Sequence, residues 1–261
     1  MKIVRTLSSG FALALCLFLQ SCVSSNTSVK GSGNYITESR NIDGEFDAVC
    51  LEGSHDVTYT VANGQAKATI TTDDNVMELI ETEVRGGCLY IRMKEGVNVD
   101  TKRLKVDISA GAISGVTIKG SGDFEVRETL QATDFTVQVN GSGDVELHKI
   151  VCENRFTAEI SGSGDIDVKS IKAEKVEVKI AGSGDCELNG TTLTADYAIT
   201  GSGSIEAASV QADNVKASIT GSGDISCHAV KTLSTSVTGS GEISYKGDAE
   251  LSGAAKHVRK L

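Results

Sequence analysis

Six acidic side chains recur at one place in this sequence: Asp123, Asp144, Asp165, Asp185, Asp224 and Glu242 each follow a Gly-Ser-Gly triplet. A second acid often comes two residues later, at Glu125, Glu146, Asp167, Glu187 and Glu206. Carboxylates in a regular row could act as a ladder of oxygen ligands for divalent cations, or as an acidic interaction row that selects basic partners. The row carries a cost, since like charges about 5 Å apart repel by about 0.8 kcal/mol per pair even in water. The alternative is structural: an Asp after Gly accepts hydrogen bonds from nearby backbone N–H groups and holds a turn. Two features favour the structural role. Ser204 interrupts the row, and the spacing differs from the Gly-rich nonapeptide repeat that binds calcium.

Other chemistry finds little support, and no catalytic, cofactor-binding or metal residue is assigned. His148 and His228 share a repeat position but sit four repeats apart, roughly 19 Å at the spacing of stacked strands, too far to share a metal. His55, His148, His228 and His257 read as solvated surface residues. A carbohydrate-active enzyme would need clustered carboxylates of tuned pKa, in a groove with aromatic platforms for sugar rings. Here the acids are periodic, and the regular repeats offer only Arg127 and Arg155, at unmatched positions. The chain reads as non-enzymatic.

The elements that position the acids follow from the period. The first glycines of the triplets, at 120, 141, 162, 182, 201, 221 and 239, are 18 to 21 residues apart. A self-similar period near twenty marks a solenoid. Four and six residues after each first Gly come Phe124/Val126, Val145/Leu147, Ile166/Val168, Cys186/Leu188, Ile205/Ala207, Ile225/Cys227 and Ile243/Tyr245. Two and four residues before it come pairs such as Ile118/Val116, Val139/Val137 and Ile199/Tyr197. Two period-2 strands therefore flank each corner with these residues inward, while Thr, Ser, Lys, Asn, Gln and Glu alternate outward. A unit of this size cannot bury its inner face alone, so equivalent strands must stack in parallel. Seven corners would span about 34 Å. Glycine suits a corner because the bend demands positive φ or close approach of stacked backbones.

Before the repeats, Phe46–Val61 reads as two strands around Gly53-Ser54-His55-Asp56, an imperfect copy of the corner, and Lys67–Thr72 as another strand. A helix is expected over about 74–84, opened by Asp73-Asp74-Asn75 and stopped by Gly86-Gly87, with Val76, Leu79, Ile80 and Val84 on one face. Strands return at Leu89–Met93 and Leu104–Ile108. This section, 37–110, would cap one end of the 111–255 repeats and hide open strand edges; 256–261 reads as a tail.

At the N-terminus, Lys2 and Arg5 precede the apolar run Phe11–Leu19 and then Leu19-Gln20-Ser21-Cys22. Residues 1–21 read as a secretory signal peptide and Cys22 as a bacterial lipoprotein's acylated first residue. Acyl chains there would supply a stable membrane anchor. Residues 22–36 are rich in Ser, Asn, Thr and Gly and read as a flexible tether. Without Lys2 and Arg5 the formal charge falls from −10 to −12, which excludes a nucleic-acid partner. The expected partners are the membrane, through the lipid, and a protein or glycan ligand; the expected place is the bacterial cell envelope, at the outer membrane. A periplasm-facing structural lipoprotein with a protein partner is the second reading. Of seven cysteines, Cys16 leaves with the signal and Cys22 would be thioether-linked. Cys186 and Cys227 fall on inward positions and read as core hydrophobes. Pairing among Cys50, Cys88 and Cys152 stays open.

The lipoprotein signal, the strand pair around Gly-Ser-His-Asp, the Gly86-Gly87-Cys88-Leu89-Tyr90-Ile91 segment and the Gly-Ser-Gly-Asp repeats together resemble the putative auto-transporter adhesin head GIN domain family, over about residues 42–253. The resemblance implies an all-β, right-handed parallel β-helix at the envelope of Bacteroides-like bacteria. It supplies no catalytic residues.

Overall fold

The computed structural model describes residues 27–253 and 256–261. The expected signal peptide over 1–21, Cys22 and the first part of the expected tether lie outside them. The repeats stack as a parallel β-solenoid of about seven turns. First glycines pair in unbroken register, Gly120 with Gly141, then Gly162, Gly182, Gly201, Gly221 and Gly239. The inward positions expected from the alternation are buried, from Phe124 and Val126 to Ile225 and Cys227. The Phe135 and Phe156 rings of successive rungs stack with centroids 6.3 Å apart. Cys186 and Cys227 are free thiols in this core. Burial pushes the Cys227 thiol up to about 12, which keeps it protonated and unreactive.

Each rung holds one strand stretch more than the alternation predicts. Phe124–Gly141 lies on Val145–Gly162 in three parts, 124–126, 129–132 and 134–141, separated by shifts in register. The middle part buries Leu130, and its successors bury Ile150, Ile171 and Val210. Rungs differ in length at the bends around this stretch, so its apolar residues keep no constant distance from the corner.

The N-terminal end of the stack is closed by antiparallel strands. On one face Ala48–Gly53 joins Cys88–Met93 in parallel, and Ile80–Arg85 then pairs with the latter antiparallel. On another, Asp56–Val61 joins Lys105–Ala110, followed by Lys67–Asp73 and the edge strand Tyr35–Asn41, both antiparallel. Reversing the strand direction at an end removes a template for further parallel stacking.

The expected helix over 74–84 is only Asp74–Met77. Ile80–Arg85 is a strand, and Gly86-Gly87 is its hairpin turn, both glycines having positive φ. Spacings of four residues, as from Val76 to Ile80 to Val84, satisfy a helical period and an alternating one alike. Glycines at both turn positions are what a two-residue hairpin needs.

From Thr27 on, the flexible tether expected over 22–36 is instead ordered structure. Thr27–Lys30 pairs in parallel with Val97–Asp100. Gly31–Asn34 is bound to the helix start: the Gly33 N–H donates to Asp73 Oδ1 at 2.6 Å, Ser32 Oγ to Asp74 Oδ1 at 2.5 Å and Asn34 Nδ2 to Asp74 Oδ2 at 2.8 Å. Asp73 is buried and also accepts from Thr101 Oγ1. At the other end, Val258–Lys260 of the expected tail pairs with Ile243–Tyr245.

Cys50 and Cys88 form a disulfide, Cα atoms 6.2 Å apart. It ties the Ile80–Met93 hairpin to the first strand of the solenoid, and leaves Cys152 as a buried free thiol.

Candidate functional site: the acidic ladder

The corner acids are brought together as a row, and the row is built into the backbone. Asp123 Oδ1 accepts the N–H of Asp144 at 3.0 Å, Asp144 Oδ1 that of Asp165 at 2.9 Å, and Asp165 Oδ1 that of Asp185 at 2.8 Å. Asp185 Oδ1 takes both the N–H and the hydroxyl of Ser204, and Asp224 Oδ1 takes the N–H of Glu242 at 3.0 Å. Asp56, of the imperfect first corner, starts the series with the N–H of Asp123 at 3.3 Å. Each carboxylate thus satisfies the equivalent residue of the next rung rather than its own turn, which local turn chemistry did not suggest. Where Ser204 replaces the acid, the Asp224 N–H donates to the Gly203 carbonyl instead, at 3.2 Å. The serine interrupts the row without orphaning a donor.

Within the row, Asp144 has its pKa raised by burial first, opposed by the Asp165 N–H, with Asp123 and Asp165 adding like-charge repulsion. A carboxyl whose pKa is raised on folding makes the native state bind more protons than the unfolded chain. Its contribution therefore worsens as pH rises through the window above the ordinary Asp value. Asp144→Asn keeps an acceptor oxygen and removes the charge. It should cost nothing at pH 7 and abolish this part of the pH slope, measured by urea unfolding between pH 3.5 and 7.

Among the described residues, no group of three or more His, Cys, Asp or Glu side chains could hold a metal ion. Calcium at millimolar concentration is expected to leave Tm unchanged, and a rise of several degrees would restore the cation-ladder reading. Two of the five acids two residues further on are drawn into ion pairs, Glu125 with Arg127 at 2.5 Å and Asp167 with Lys169.

His55 departs from the surface role read for all four histidines: it is buried, whereas His148 is exposed. It stands where later corners have their second glycine. A Cβ on those glycines would strike the rung beneath, 2.1 Å from the His55 carbonyl oxygen in the case of Gly122. His55 belongs to the first such corner, so a side chain is tolerated there and closes the column. Among the described residues, its Nε2 has no hydrogen-bond partner. Burial lowers its pKa to about 4, against a smaller upward effect of a hydrogen bond to the Ile91 backbone. The native state therefore binds fewer protons than the unfolded chain between about pH 4 and the ordinary His value near 6.5. Stability is full above that value and falls by about 3 kcal/mol as the pH drops through the window. His55→Phe should remove most of that loss in denaturant titrations at pH 7 and 4.5. Beside this corner a surface cleft of about 740 Å3 is lined by His55, Asp56, Arg92, Lys94, Thr101 and Lys102.

Known structures share this architecture. A protein from Parabacteroides distasonis described as a "putative lipid binding protein" is 29% identical, with TM-score 0.83 over 90% of this chain and 100% of that one. A "putative adhesin" from Parabacteroides merdae is 28% identical, with TM-score 0.83 over 90% and 99%. Another from Bacteroides fragilis is 27% identical, with TM-score 0.65 over 89% and 95%. Among curated proteins no match is found. The model of one family matches twice, over residues 45–155 and 148–249, covering both the capped end and the stacked rungs. The chain belongs to the family described as "putative auto-transporter adhesin, head GIN domain".

Proposed function

We propose that this protein is a lipid-anchored, non-enzymatic scaffold of the bacterial cell envelope, held by acylated Cys22 in the outer membrane, that binds a protein or glycan polymer along its lateral faces. The observation that carries the reading is repetition. The same outward positions recur rung after rung in register, so any contact made at one rung is offered again about 4.8 Å further on. Such a surface suits an extended, repeating ligand through many weak contacts, whereas a small substrate needs one concave site. The adhesin descriptions of the Parabacteroides and Bacteroides structures agree with this. In this reading the row Asp123, Asp144, Asp165, Asp185, Asp224 and Glu242 holds the corners and presents a negative edge to basic partners.

Two experiments test it. Purified protein is applied to a glycan array and to polysaccharide digests, where binding without turnover supports the scaffold and release of sugar fragments overturns it. Intact cells are treated with proteinase K, and loss of the protein places the body outside the cell. Its survival would favour a periplasm-facing structural lipoprotein, a reading supported by the lack of acidic residues over 23–28.

A further inference from the structure

The covalent distance between the anchor and the fold is short. Only Val23, Ser24, Ser25 and Asn26 separate Cys22 from Thr27, where the strand paired with Val97–Asp100 begins. Five residue steps of fully extended chain reach at most about 18 Å. The rest of the expected tether is spent on the cap: the Gly31 N–H donates to the Asp100 carbonyl at 2.8 Å, Asn75 Nδ2 to the Lys30 carbonyl at 2.9 Å, and Gly33 and Asn34 are bound as described above. An acylated Cys22 sits at the edge of the headgroup layer, which is itself about 5–8 Å deep on each side of a bilayer. The solenoid cannot then stand clear of the membrane.

The surface at that end has the composition of a membrane interface. Tyr35 and Ile36 begin the outermost strand and are exposed large apolar residues, 40% and 38% accessible. The Arg103 guanidinium lies over the Tyr35 ring, 5.0 Å from its centroid. Exposed Lys30, Lys102 and Arg103 alternate with exposed Asp74 and Asp100. An aromatic ring with a cation at its face suits the headgroup level, and mixed charge suits zwitterionic headgroups without needing an anionic lipid.

We propose that the N-terminal cap docks on the bilayer surface through Tyr35, Ile36 and Arg103, so that the membrane is a second partner of the fold itself and the rungs project outward from it. The inference rests on the anchor reading above, and its own failure can be told from that reading's.

The chain contains no Trp, so single reporters are clean. Full-length acylated Tyr35→Trp and, at the opposite end, Thr238→Trp are reconstituted in phosphatidylethanolamine/phosphatidylglycerol vesicles containing headgroup spin-labelled lipid. Ile36→Trp is a second reporter should Tyr35→Trp misfold. The cap reporter is expected to lose at least half its fluorescence while the distal one is unchanged. A ten-residue Gly/Ser spacer between Asn26 and Thr27 should weaken the quenching severalfold, because the cap's own contacts are then opposed by a longer reach. Equal quenching at both ends of a protein that floats with the vesicles and carries acyl mass on Cys22 overturns the docking alone. Absence of acyl mass on Cys22 overturns the anchor, and the docking with it.

Discussion

Alanine at Gly162 is expected to prevent folding or to cost more than about 4 kcal/mol, an effect reserved for buried steric failures. Gly162 has φ +137°, and a Cβ there would lie 2.1 Å from the carbonyl oxygen of Gly141 and 3.0 Å from its carbon. Both are backbone atoms of the rung beneath, so no side chain can swing aside. Relief would require the two rungs to part, breaking the bond at 2.8 Å from the Ser163 N–H to that oxygen. Gly111→Ala is the matched control, since a Cβ there meets nothing within 4 Å and its φ is not in the left-handed region. It should change stability by less than about 1 kcal/mol. Denaturant midpoints of the two variants decide the matter: similar values would mean that the stack can open at a corner without penalty.

Removal of the Cys50–Cys88 bridge should be the next largest effect. The bond closes a span of 38 residues, and the loss of chain entropy that such a cross-link imposes on the unfolded state is worth about 4 kcal/mol. The damage should be local, because a solenoid is held by nearest-neighbour contacts. In Cys50→Ala/Cys88→Ala, amide exchange is expected to accelerate across Ile80–Met93 while the rungs beyond Gly141 keep their protection. Uniform loss of protection along the whole stack would contradict a cap that is separable from the rungs. A bridge of this kind fits an oxidising compartment, which export would supply.

The solenoid was legible because its demands repeat. Inward residues beside each corner alternate strictly, and the glycines answer a backbone contact that recurs at every rung. The middle stretch around Leu130 and Ile150 was hidden by bends of unequal length, though the apolar residues were present. The hairpin after Met77 was hidden by a spacing of four, which two periods share. His55 could have been read as buried from its place in the corner motif, since the same position in later corners faces the rung beneath. The Asp ladder joins residues about twenty apart, and a single turn considered alone offers no sign of it. The disulfide was illegible because Cys88 pairs diagonally: the strand register aligns Cys88 with Ala48 and Cys50 with Tyr90.

The corners also bear on how such a chain changes over generations. Each Gly-Ser-Gly unit meets only the units beneath and above it, so excision of residues 142–162 would join Gly141 to Ser163 and regenerate Gly-Ser-Gly-Asp at the seam. Every later residue would keep an equivalent neighbour. Unequal recombination between repeats can therefore shorten or lengthen the protein by whole rungs, adjusting how far its tip stands from the capped end in steps of about 4.8 Å.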